Sequence, residues 1–270
     1  MKSFIRFLVF SNILVAFCVL ALALSTELLL GAVNYKISQF VFFATLFTYN
    51  FQRIVRIWTG VNHVRKKWLD KHKIAIISLT IIGGILSFYL FLEFQPKTQI
   101  VIAISAVASL LYPFGLRKIP HLKIIVIATV WTISTMFLLV VESNHPIDQN
   151  IALHLIARFL FIFAIIIPFD IRDLKYDKLS LKTIPIVFGE SKARLVALGA
   201  LFIAEIIAII QYLNFGLSFK HLLSFSLLML LSSIMIIKSN QNQSDMFFSF
   251  WVESMSIACY LFLAISYLMF

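Results

Sequence analysis

Residues 151–177 read IALHLIARFLFIFAIIIP-FDIRDLKYD. Up to Pro168 the stretch is apolar apart from His154 and Arg158 and is long enough, as a helix, to cross a hydrocarbon core of about 30 Å. Directly after it come Asp170, Asp173 and Asp177. At roughly 100° per residue, offsets of three and seven put all three carboxylates on one helix face. Three negative groups at the end of a membrane helix repel one another unless a cation sits among them. Oxygen-only ligands of this kind suit Mg²⁺, which is commonly shared with a substrate phosphate. The competing reading is a solvated helix end whose acids are neutralised by Arg172, Lys175 and Lys178.

The rest of the chain supplies the membrane. It is 61% hydrophobic and 13% charged, with a mean hydropathy of +0.98; ordinary soluble domains are about 45–50% apolar and about 25% charged. Nine apolar spans are expected, at about 7–24, 37–58, 74–94, 98–116, 124–141, 151–169, 194–213, 218–237 and 246–269. No alternating period supports a membrane barrel. The expected fold is therefore all-α: a polytopic membrane bundle of about nine helices forming one integral membrane domain over 1–270. Inner-side loops fall at about 59–73, 117–123 and 170–193.

A net charge of +11 is compatible with nucleic-acid binding, but its distribution argues against it. With the N-terminus inside, 19 of the 23 Lys and Arg fall on one side, the positive-inside pattern. The expected location is the bacterial inner (plasma) membrane, N-terminus cytoplasmic and C-terminus outside. The three aspartates then lie on the cytoplasmic side. Lys2, Arg6 and the apolar run ending near Ala23 are open to reading as a signal peptide; the eight spans that follow favour a first transmembrane helix. Cys18 and Cys259 fall in apolar helices and read as core residues, not as a disulfide or zinc framework.

Beyond the aspartates the sequence continues Lys182-Thr-Ile-Pro-Ile-Val-Phe-Gly189. Asp-x-Arg-Asp-x-x-x-Asp followed by Lys-Thr-x-Pro and Phe-Gly resembles the second aspartate-rich motif of the UbiA-type intramembrane prenyltransferases, and the nine-span topology is similar to theirs. The resemblance implies transfer of an isoprenoid from a prenyl diphosphate to an aromatic or other lipophilic acceptor. It implies Mg²⁺ held by Asp170, Asp173 and Asp177, with the diphosphate at the cytoplasmic end of a helical cavity. Arg172, within the motif, is a candidate phosphate contact. The allylic cation left by carbon–oxygen ionisation would need apolar and aromatic walls, which the 28 Phe can supply.

The family's first acidic motif, Asn-Asp-x-x-Asp-x-x-x-Asp, should lie near the end of the second span. Here that place reads Asn50-Phe-Gln-Arg-Ile-Val-Arg-Ile-Trp58. Asn50 matches the leading asparagine and is a candidate diphosphate contact, but Phe51, Ile54 and Trp58 stand where carboxylates belong. Arg53 and Arg56 share a helix face and are candidates to hold diphosphate as fixed cations in place of one metal ion; the alternative is that they only fix topology. Tyr112 and Lys118, in Tyr112-Pro-Phe-Gly-Leu-Arg-Lys118, resemble a weaker family feature, a cavity-capping tyrosine and a phosphate-touching lysine. Arg158, Glu205 and Glu253 lie at membrane depth, where an Arg–Glu pair is one outcome. His63, His72, His121 and His154 have no metal-ligand spacing.

The leading expectation is thus a UbiA-like prenyltransferase with a divergent metal site. The alternatives are a noncatalytic isoprenoid- or diphosphate-binding or scaffolding membrane protein, and a small membrane transporter. The expected partners are a prenyl diphosphate, a lipophilic or aromatic acceptor and the lipid bilayer, with no nucleic acid.

Overall fold

Inside a bilayer every backbone N–H needs a partner that water cannot provide, so spanning segments become helices or closed barrels. This chain takes the helical solution, with no strand among the described residues. The structure, a computed structural model, describes residues 2–31, 34–58, 66–111, 122–175 and 181–269. Its helices are α1 (Lys2–Phe10), α2 (Ile13–Leu30), α3 (Tyr35–Trp58), α4 (Lys66–Lys71), α5 (Lys73–Leu92), α6 (Pro96–Leu111), α7 (Leu122–Thr132), α8 (Leu138–Glu142), α9 (Gln149–Asp173), α10 (Ile184–Asn214), α11 (Phe219–Lys238) and α12 (Met255–Met269). A π-helical stretch, Ile133–Phe137, welds α7 to α8, and another, Phe247–Val252, precedes α12.

Seven rods are long and apolar enough to cross a membrane. Together with α3 and the 16-residue α6, each of the nine expected spans has its helix. The arginines near the end of α3 lower its hydropathy. The first span is displaced from 7–24 to Ile13–Leu30, because Asn12 adopts a left-handed conformation (φ 61°) that ends α1 and starts a new axis. Asn tolerates that conformation better than most residues. At the other motif, α9 runs on to Asp173 and α10 begins at Ile184, so both helices extend into the segment expected as a loop.

Neighbouring rods α2, α12, α11, α10, α9 and α7 pack in sequence, and the π stretch after α7 returns to α2, closing a ring. Helices α3 and α5 pack against each other and, through α3, on α2; α6 leans on α7 and α8. Cys18, Leu22, Ile162, Ile167, Phe248 and Leu263 are buried in the shared core. The opposite faces carry exposed Ile85, Phe88, Phe202 and Leu230, which suits contact with lipid. At Gly83 the absence of a side chain matters: a Cβ there would stand 2.9 Å from the Phe43 carbonyl oxygen and 3.0 Å from the Phe47 nitrogen.

Candidate functional site

Four elements meet at the end of α9. Pro168 lies inside this helix, buried, and the helix nonetheless continues through the next turn. Asp170 is 1% exposed, while Asp173 is only partly buried. Lys123, in the first turn of α7, reaches both: its Nζ lies 2.6 Å from Asp170 Oδ1 and 3.7 Å from Asp173 Oδ2. Packing of α7 on α9 brings this lysine to the acids.

Arg172 works on the other side. Its Nε donates to Asp173 Oδ1 at 2.8 Å, and a terminal nitrogen contacts Asp245 Oδ1 at 3.2 Å and Ser249 Oγ at 3.3 Å. The guanidinium also lies over the rings of Phe169 (5.2 Å) and Phe248 (5.9 Å). A planar, weakly hydrated cation suits such a dry, aromatic setting better than an ammonium would. Asp245 and Ser249 enter from the segment and π stretch before α12. The acids therefore belong to a network of carboxylates with interleaved cations, and it is not a bare triad.

The donor set fits Mg²⁺ as a shared site. Asp170 and Asp173 sit one turn apart, and both supply oxygen. Mg²⁺ prefers one or two carboxylates with water and substrate phosphate filling its other positions. No group of three metal-ligating side chains occurs among the described residues; Asp177, expected as the third, lies outside them. Tyr112 and Lys118 also lie outside the described residues.

The region of the degenerate first motif is built differently. Asn50 is fully buried, and its amide nitrogen donates to Ser11 O and Leu46 O, both at 3.0 Å. Its Oδ1 accepts from Asn12 Nδ2 at 2.7 Å. Asn50 thus braces the break between α1 and α2. Arg53 donates to the Phe10 carbonyl at 2.6 Å, satisfying an acceptor at the end of α1. Gln52 donates to Ser109 O at 2.8 Å and ties α3 to α6. Arg56 is helical in α3, and its side chain lies outside the described residues. Near the same end, Phe7 and Phe10 of α1 meet Trp68 edge-on, and Trp68 stacks on His72 at 4.2 Å.

Deeper along α7, Trp131 Nε1 donates to the Tyr49 hydroxyl at 2.9 Å. Eight residues of helix separate Trp131 from Lys123, roughly 12 Å of depth. In the opposite half of the bundle Arg158 is buried and donates to Leu22 O (3.2 Å), Ser25 Oγ (2.9 Å) and Thr26 Oγ1 (3.2 Å). The Arg–Glu pairing considered from sequence is replaced by these neutral acceptors; Glu205 instead accepts from Ser226 at 2.5 Å.

From sequence, Lys123 is one more cation of the inner-side segment 117–123, and Asp245 and Ser249 carry no motif that marks them. The available signal for Lys123 was its place at the very start of an apolar run. For Asp245 it was an acid on a side otherwise rich in Lys and Arg.

The sequence pattern of the UbiA prenyltransferase family matches residues 71–258. No functionally curated protein matches the chain. Among solved structures, the apo form of a UbiA homolog from Aeropyrum pernix K1 superposes with a TM-score of 0.68 at 15% identity, covering 93% of this chain and 97% of its own. A UbiA homolog from Archaeoglobus fulgidus bound to GPP and Mg²⁺ gives 0.63 at 17%, covering 97% and 98%. A digeranylgeranylglyceryl phosphate synthase gives 0.61 at 16%, covering 98% and 99%. At these identities the structures establish the fold. The matched stretch contains Asp170 and Asp173 and begins after the degenerate first motif.

Proposed function

The chain belongs to the UbiA prenyltransferase family, and from that membership we propose that it transfers an isoprenoid from a prenyl diphosphate to a lipophilic or aromatic acceptor within the membrane. One observation carries the reading: Asp170 and Asp173 stand together at the end of a membrane helix, with Lys123 and Arg172 against them. Asp170 and Asp173, with Asp177, would hold Mg²⁺, which supplies positive charge against the departing diphosphate. Arg172 lies on the same network, where a fixed guanidinium can bind a phosphate oxygen and stabilise the charge that develops as the carbon–oxygen bond breaks. Arg53 and Arg56 on α3, and Lys118, are proposed as further phosphate contacts. Phe169 and Phe248 exclude water beside Arg172 and hold its guanidinium against their rings. Tyr112 is proposed to cap the cavity, while Tyr49 and Trp131 add an aromatic pair deeper in the bundle.

The test is incubation of the purified protein with radiolabelled geranyl diphosphate and a membrane-lipid extract, followed by chromatography of the organic phase. Transfer is expected to yield a labelled lipophilic product, reduced at least tenfold by Asp173→Asn. Product formation that Asp173→Asn leaves untouched would remove the aspartates from the chemistry.

A noncatalytic, diphosphate-binding reading draws on the region around Asn50: the first motif's carboxylates are missing, and Asn50 serves as a brace. It predicts copurifying isoprenoid diphosphate, no labelled transfer product, and loss of the bound lipid in Asp173→Asn.

The proposed orientation has a cytoplasmic N-terminus, an outside C-terminus and the acidic site facing the cytoplasm of a bacterial inner membrane. The cation asymmetry supports it. Reporter fusions after Lys182 and after Phe270 are expected to report opposite sides; the same side for both would mean an even number of crossings between them.

A further inference from the structure

The two carboxylate oxygens best placed for a metal are already turned toward a cation of the protein's own. Arg172 takes Asp173 Oδ1 at 2.8 Å, leaving Oδ2 to face Lys123 Nζ at 3.7 Å. Asp170 Oδ1 faces the same nitrogen at 2.6 Å. One ammonium thus bridges acids a helical turn apart, the place a divalent ion would take. We propose that Lys123 is the resident counter-cation of this pair: it holds the Asp170–Asp173 gap in the ligand-free protein, and an incoming divalent ion displaces it. This deepens the metal-site reading above and rests on it.

Three further observations support the assignment. Lys123 is 8% exposed and Asp170 1%, so leaving either charge buried without a partner is costly, and a cation that takes the place of Lys123 satisfies Asp170 in its stead. Lys123 sits in the first turn of α7, where the helix dipole disfavours a positive charge; the carboxylates, not the helix end, hold it there. An ammonium on a flexible four-carbon stem can also withdraw without moving the backbone, whereas the Arg172 guanidinium is held by Asp173, Asp245 and Ser249 and lies against two rings.

The consequence is that a metal ion alone must compete with an internal ion. A diphosphate arriving with it gives the displaced ammonium a new anion, so metal and diphosphate bind together better than either does singly. Lys123 is in this sense a positioning residue that couples two ligands.

Mn²⁺ titration of the detergent-solubilised full chain, followed by electron paramagnetic resonance, tests this. Lys123→Met is expected to bind Mn²⁺ at least tenfold more tightly than the wild type. The further gain on adding geranyl S-thiolodiphosphate should shrink in that variant, while Lys123→Arg keeps the weak wild-type affinity. The unmodified protein provides a second measurement in case Lys123→Met misfolds. Acylation of Lys123 by an N-hydroxysuccinimide ester, read by mass spectrometry, should rise severalfold when Mn²⁺ saturates. Unchanged or weaker Mn²⁺ binding in Lys123→Met, or Mn²⁺-independent acylation, overturns displacement. If Asp170→Asn and Asp173→Asn still lose Mn²⁺ in that case, the metal site itself stands. If those two variants bind Mn²⁺ like the wild type, the ion lies elsewhere and both readings fall.

Discussion

Asp170→Asn is expected to lower stability by about 3–5 kcal/mol, because it strips a buried ammonium of its nearest carboxylate. The two charged groups are 2.6 Å apart, and neither is more than a tenth exposed at its side chain. Lys123→Met should cost a similar amount, leaving the Asp170 carboxylate buried without its cation. The double variant should lose much less than the two single losses added together, since no isolated charge then remains. SDS titration from mixed micelles, followed by tryptophan fluorescence, gives all four corners of the cycle. Additive losses would show that the pair contributes no coupling. The metal adds a diagnostic asymmetry: Mn²⁺ should restore much of the stability of Lys123→Met and little of that of Asp170→Asn.

Gly83→Leu should be almost as damaging, at about 3 kcal/mol or more, the upper end of overpacking costs. Its Cβ alone would meet main-chain atoms of Phe43 and Phe47 at 2.9 and 3.0 Å, and a helix backbone cannot swing aside as a side chain can. The only relief is to part α5 from α3. Since α3 carries Asn50, Gln52 and Arg53 within the following turns, the brace on the α1–α2 break and the tie to α6 should loosen with it. Neighbouring Gly84 is the control: a Cβ there meets only the Phe47 ring, at 3.2 Å, and rings can shift. Gly84→Ala should therefore cost no more than about 1 kcal/mol in the same unfolding assay. Equal losses at the two glycines would rule out backbone contact as the cause.

The membrane helices were legible because hydropathy acts locally: an apolar run must become a helix whichever helices later surround it. The position of the first span was not. Nothing in the local hydropathy distinguishes 7–24 from 13–30; the break depends on Asn12 holding a left-handed turn and on Asn50, 38 residues away, bonding to it. The acidic motif could be read as a face because its spacing lies within one helix. Its surroundings could not, since Lys123, Asp245 and Ser249 come from other helices and share no period with it. Arg158 illustrates the same limit. A charge at membrane depth announces that it needs partners, but sequence does not say that hydroxyls and a carbonyl of α2 will serve instead of a glutamate.

The Lys123–Asp170 contact also bears on how the chain is made. These residues are 47 positions apart, with the whole α7–α8 rod and most of α9 between them. At a synthesis rate of about 5–20 residues per second, the lysine emerges from the ribosome roughly 2–9 s before its aspartate. During that interval α7 must settle in the bilayer with an ammonium at its end, and the flexible stem lets that charge reach toward the headgroups. The carboxylate then arrives on a later helix and draws the ammonium inward. The contact can therefore close only after most of α9 has been synthesised.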